Sequence, residues 1–200
     1  MTSVLIALNV AVFLLELVME AQGQLAPFLA RWTLVPAELT ANLGQKWYTV
    51  FSATFLHVSW AHLLGNMLFL WLFGRPVEKK LGRHRFLLFY WLTGALATAV
   101  QVALNPTSPS PNLGASGGIA GILGGYVIQL TRPPENTPGR RLGLVVGLVA
   151  LALWLTFDLV RVETGLGDVP APVSTIALGA HLGGFLAGLL LIKPFVKRET

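Results

Sequence analysis

Six long apolar runs, free of charge except for Glu16 in the first, dominate this chain, at about 2–19, 50–73, 86–104, 113–130, 142–157 and 173–192. Each is long enough to cross or nearly cross a hydrocarbon core of ~30 Å as a helix. The charge available to clothe a water-soluble surface is correspondingly scarce. Only 12% of the 200 residues are Asp, Glu, Lys or Arg, against about 25% in an ordinary soluble domain. The expectation is an all-α, six-transmembrane-helix bundle forming one domain over residues 1–200. The first run has no basic start and carries Glu16, so it reads as a retained span rather than a signal peptide. The absence of cysteine excludes disulfides, thiolate metal sites and a cysteine nucleophile.

The basic residues orient the bundle. Arg75, Lys79, Lys80, Arg83 and Arg85 follow the second run, Arg132, Arg140 and Arg141 follow the fourth, and Lys193, Lys197 and Arg198 follow the sixth. These eleven of fourteen Lys and Arg fall on one side of a six-span arrangement. By the positive-inside rule that side is cytoplasmic, and so are both termini. The net charge of +5 is thereby read as topology and contact with lipid headgroups, and nucleic acid is not an expected partner. The first external connection, 20–49, contains Trp32, Trp47 and Tyr48 and reads as a segment at the membrane interface.

Polar groups inside the runs point to chemistry, because lipid penalises them. His62 and Asn66 lie four apart on one helical face of the second run. Ser116 opens the fourth within Gly114-Ala115-Ser116-Gly117, and His181 lies in the sixth. Counting from the cytoplasmic basic anchors at ~1.5 Å per residue places Ser116 at about 24 Å, His62 at about 20 Å and His181 at about 18 Å. A hydroxyl and two imidazoles from three helices thus share one layer. Gly117, Gly121 and Gly125 on the fourth run, with Gly184 and Gly188 on the sixth, have the spacing that lets helices pack closely. That contact would bring Ser116 towards His181.

A serine hydroxyl becomes a nucleophile when a neutral imidazole accepts its proton. The oxyanion formed on attack needs donors, which His62, Asn66 and the Ser116 backbone N–H can supply. Asp158, Glu163 and Asp168 all fall at or beyond the external end of the fifth run, so the reading is a Ser–His dyad. No acidic residue accompanies the histidines, so neither a metal site nor a cofactor is expected. His57 counts to the outer interface, where it can hydrogen-bond a loop or help order the oxyanion side; the structural role is the preferred reading. His84, among cytoplasmic basic residues, is assigned to solvent. Glu78 reads as a loop ion pair or a helix cap.

At these residues the chain resembles the rhomboid family of intramembrane serine proteases. The resemblance rests on His57-Val58-Ser59-Trp60-Ala61-His62-Leu63-Leu64-Gly65-Asn66, Val77-Glu78-Lys79-Lys80-Leu81-Gly82, Gly114-Ala115-Ser116-Gly117, and Ala180-His181 followed by Gly184 and Gly188. It implies Ser116 as nucleophile and His181 as general base, with His62, Asn66 and the Ser116 amide around the oxyanion. It also implies a short, central fourth helix opening into an external water-filled cavity. Substrates would be transmembrane proteins entering between the second and fifth spans. A chain with no soluble domain fits a member in a prokaryotic plasma membrane. Two departures stand out. The family's frequent Trp-Arg in the first loop is here Trp47-Tyr48, and the aromatic that some members stack on the catalytic imidazole is here Ala120. The competing functions are a silent relative that binds membrane helices, and a small transporter. A transporter predicts paired acids or broken helices in repeated halves, and neither is visible.

Overall fold

Away from water, only a helix satisfies its own backbone groups within one segment, so the apolar runs have little choice of conformation. The computed structural model describes residues 1–131, 145–146, 148–149, 152–153, 156 and 177–196. Its helices are α1 (Thr2–Ala21), α2 (Leu25–Trp32), α3 (Pro36–Ala41), α4 (Leu43–Lys46), α5 (Thr49–Ser52), α6 (Trp60–Leu81), α7 (Arg83–Leu104), α8 (Ser116–Thr131) and α9 (Ala177–Phe195), with a 3₁₀ turn at Ala53–Phe55. Among the described residues there is no strand, only an isolated antiparallel bridge between Leu34 and Asn112. Three helices are long and apolar enough to cross a membrane, at Thr2–Ala21, Arg83–Leu104 and Leu178–Phe195, and α8 is a shorter apolar helix. The expected fifth run lies mostly outside the described residues. So do the basic residues Arg132, Arg140, Arg141, Lys197 and Arg198, and the acids Asp158, Glu163 and Asp168.

In two of the expected spans the structure adds detail. The second is not one continuous helix over 50–73. It is broken, and the pieces on either side meet at 99°. Ser59 explains the restart: its backbone is extended, at φ −164° and ψ 161°, and its hydroxyl accepts the His62 N–H at 3.2 Å, capping α6. α6 then runs on past position 73 to Leu81, where Gly82 at φ +80° ends it. The fourth span begins as a helix only at Ser116, because Gly114 at φ +115° holds a backbone incompatible with the α-helix.

Glycine places α8 at the centre. Gly118, Gly121, Gly124 and Gly125 are all buried. A methyl group on Gly118 would meet the Tyr90 ring of α7 at 2.6 Å, and one on Gly121 would strike Thr93. On the other side, methyl groups on Gly184 and Gly188 of α9 would fall on the carbonyl oxygens of Gly117 and Gly121. The glycine spacing read from sequence is thus a backbone-to-backbone contact between the fourth and sixth runs. Leu63, Leu70, Phe86, Phe89, Ile119 and Leu123 fill the core around it. Large apolar residues such as Leu64, Leu68 and Trp71 on α6 point outward, as a lipid-facing surface requires and a water-facing one would not tolerate. Because a backbone oxygen cannot step aside, Gly188→Val should cost at least about 1–3 kcal/mol by overpacking. Thermal unfolding in detergent checks this; an unchanged midpoint would mean that α8 and α9 do not depend on the contact.

The external connection is folded. The Tyr48 hydroxyl donates to Arg31 O at 2.9 Å, and Ser52 Oγ donates to Trp32 O at 2.8 Å. Tyr48 thereby ties the loop to itself. Half-buried Lys46 pairs with exposed Glu38 at 2.6 Å, and that hydrogen bond raises the lysine pKa. The loop also grips the Pro-rich turn after α7, through Ala37 N to Ser108 O at 3.1 Å and Thr40 Oγ1 to Pro106 O at 2.8 Å. On the other end of the bundle, Glu78 accepts from the Thr2 N–H at 2.8 Å and pairs with the Met1 ammonium. It caps the start of α1, one of the two roles read for it.

Candidate active site

Three helices and one extended segment converge near Ser116. The Gly114 N–H donates to Ala53 O at 2.8 Å, tying the segment before α8 to the 3₁₀ turn before α6. A side chain on Gly114 would lie 2.8 Å from His62 Nε2 and 3.8 Å from Asn66 Nδ2. The backbone two residues before Ser116 therefore rests on the His62 ring and beside the Asn66 amide. Positive φ and close approach together admit only glycine there. His62 and Asn66 are both buried, at 7% and 3% exposure. Both amide atoms of Asn66 lack a hydrogen-bond partner among the described residues. A buried amide in that condition is free to donate to a group arriving beside Gly114.

Ser116 is the first residue of α8, so its backbone N–H is among those that a helix start leaves without an intrahelical partner. Ser116 lines a small, partly open cavity together with Ala53, Thr98, Gln101, Asn112 and Gly117. His181 sits on α9 at 2% exposure. Its helix is held against α8 through Gly184, one turn further on, whose backbone abuts the carbonyl of Gly117 next to Ser116. The Ala120 methyl lies 3.2 Å from the position a Gly184 side chain would take, so α8 and α9 also pack closely at this turn.

Some of this could be sought in the sequence and some could not. Gln101, a polar residue in the third apolar run, accepts the Ala180 N–H at 3.1 Å and so pins the turn of α9 that carries His181. His57 packs edge-on to His62, with ring centroids 4.9 Å apart. Glu16 contacts His57 from α1. The cost of burying a polar group in a span was the available signal for both Gln101 and Glu16. Their partners, far away in sequence, were not legible. Among the described residues no group of three potential metal ligands occurs.

The Rhomboid domain model matches residues 44–198 of the chain. Similar proteins include YdcA of Bacillus subtilis (strain 168), 29% identical over 153 residues covering 75% of this chain and 69% of YdcA. Rhomboid protease GluP of the same organism is 31% identical over 146 residues, 72% of this chain and 25% of GluP. Rhomboid protease GlpG of Yersinia pestis (strain Pestoides F) is 30% identical over 196 residues, 96% of this chain and 61% of GlpG. The chain thus spans less than two thirds of the length of GluP and GlpG. With the domain match covering more than half of its residues, and apolar helices arranged to face lipid, the chain is an integral membrane protein that belongs to the rhomboid family.

Proposed function

We propose that this protein is an intramembrane serine endopeptidase that cuts transmembrane proteins in or beside their spans. The observation that carries the reading is the seating of Gly114 on His62 and Asn66, with Ser116 two residues later and the His181 helix packed backbone-to-backbone against the same segment. In this reading Ser116 Oγ attacks the scissile carbonyl carbon while His181 takes the hydroxyl proton. His62, Asn66 and the Ser116 N–H stabilise the resulting oxyanion. Collapse breaks the C–N bond, and His181 returns the proton to the leaving amine. Water, deprotonated by His181, then hydrolyses the ester on Ser116. The protein acts as a single domain of six spans with both termini in the cytoplasm, in a prokaryotic plasma membrane, against lipid and transmembrane substrates.

A substrate helix hides its carbonyls in internal hydrogen bonds, so the scissile segment must unwind to reach Ser116. Helix-breaking residues lower that cost, glycine by about 1 kcal/mol and proline by about 3 kcal/mol relative to alanine. The test is cleavage, in liposomes, of one transmembrane substrate in two versions, with glycine and proline near the cut or with leucine in their place. The leucine version should be cut more slowly, by about tenfold for each ~1.4 kcal/mol of added helix stability. Equal rates would contradict unwinding at the site. Trp154 and Phe157, bulky residues of the fifth run, lie outside the described residues. Trimming either should accelerate cleavage if substrates enter beside that run.

A further inference from the structure

The break in the second span exposes a backbone group that the helices cannot satisfy. At the 99° bend between the 3₁₀ turn and α6, the Leu56 N–H still reaches Ala53 O at 3.3 Å. The next residue, His57, is buried at 2% exposure, and its N–H finds its acceptor on another helix. It donates to the two carboxylate oxygens of Glu16 on α1, at 3.1 and 3.3 Å. Glu16 is itself buried, at 4% exposure, in a helix whose other requirements an apolar residue would meet better. One turn earlier, Phe13 packs edge-on against Trp60 at 4.9 Å, so α1 grips the bend on both sides. What the bend carries is the His57 ring, whose Nδ1 lies 3.1 Å from Phe55 O and whose edge meets the ring of His62. His62 in turn lies against Gly114.

We propose that Glu16 is a positioning residue for the oxyanion side of the site. By holding the main chain of His57 it fixes the imidazole against which His62 packs, and so sets where His62 stands beside Gly114. The proposal rests on the reading of His62 as an oxyanion donor. The requirement is an oxygen acceptor at that depth on α1: glutamine supplies one, leucine does not, and aspartate places it one methylene too far back.

The experiment compares the wild-type protein with Glu16→Leu, Glu16→Gln and Glu16→Asp in detergent. It measures kcat and KM on a transmembrane substrate, and the imidazole nitrogen resonances of His62 in histidine-labelled protein. Since misplacing a catalytic group by ~1 Å can cost about a hundredfold, Glu16→Leu should lower kcat by about ten- to a hundredfold with KM little changed. It should also shift the His62 resonances, and Glu16→Gln should restore both. If Glu16→Leu does not fold, Glu16→Asp takes its place, with the same two readouts expected to move in the same direction. A Glu16→Gln variant as impaired as Glu16→Leu or Glu16→Asp would overturn the proposal, as would His62 resonances that ignore the loss of the acceptor. If the wild-type protein neither cleaves the substrate nor reacts at Ser116, the protease reading fails by itself, and the His62 resonances alone decide whether Glu16 holds the ring.

Discussion

Ser116→Ala and His181→Ala will each abolish proteolysis, with a loss in kcat on the order of 10⁶-fold, and the double variant will be no worse than either single one. In the proposed mechanism the two groups act as one unit. A serine hydroxyl without a base stays protonated, and a base without the hydroxyl has nothing to activate. Neither substitution should unfold the protein. Ser116 is only half-buried and lines a cavity, so removing its oxygen creates no void in the core. His181 is buried, so its truncation should cost some stability, but the Gly184–Gly117 and Gly188–Gly121 contacts that hold α9 to α8 do not involve its ring. Cleavage assays on protein of verified thermal midpoint check both points. Additive losses in the double variant would mean that the two residues serve different steps.

The second large effect falls on α6. His62→Ala and Asn66→Ala should each lower kcat by about 10²–10³-fold, equivalent to about 2.7–4 kcal/mol of transition-state stabilisation, while KM stays near the wild-type value. The residual activity is the informative part. Losing one donor leaves the other and the Ser116 N–H in place, so cleavage persists at a measurable rate. Asn66→Ala should be nearly neutral for folding, because neither amide atom has a hydrogen-bond partner among the described residues to lose. A rise in KM with unchanged kcat would assign these residues to substrate binding instead. If His62→Ala were inactive and His181→Ala active, the base and donor roles would be exchanged.

Much of this architecture was legible because lipid permits so few solutions. An uncharged run in that solvent must be a helix, and a polar residue inside one must have a reason. Those two constraints gave the first, third and sixth spans to within about four residues at either end, and singled out His62, Asn66, Ser116 and His181. Periodicity alone also foresaw the glycine contact between α8 and α9. The break before α6 was not legible, since 50–73 reads as one apolar run. Its cause is local and subtle: Ser59 offers its hydroxyl as a helix cap, and Glu16, forty-one residues away, accepts the orphaned His57 N–H. The late start of α8 was hidden for a similar reason. Gly114 scans as one more small residue until its positive φ and the His62 ring pressed against it are seen together. Hydropathy reports where a backbone is buried; it does not report where that backbone bends to meet a residue from another helix.

The central claim is that Ser116 is a nucleophile activated inside the membrane domain. The most direct measurement is mass spectrometry of the detergent-purified protein after exposure to a fluorophosphonate, which phosphonylates an activated serine and leaves an ordinary one untouched. The account predicts one covalent adduct, on Ser116, that disappears in Ser116→Ala and His181→Ala samples with wild-type folding. A folded wild-type protein that carries no adduct, or carries it on another residue, would contradict it.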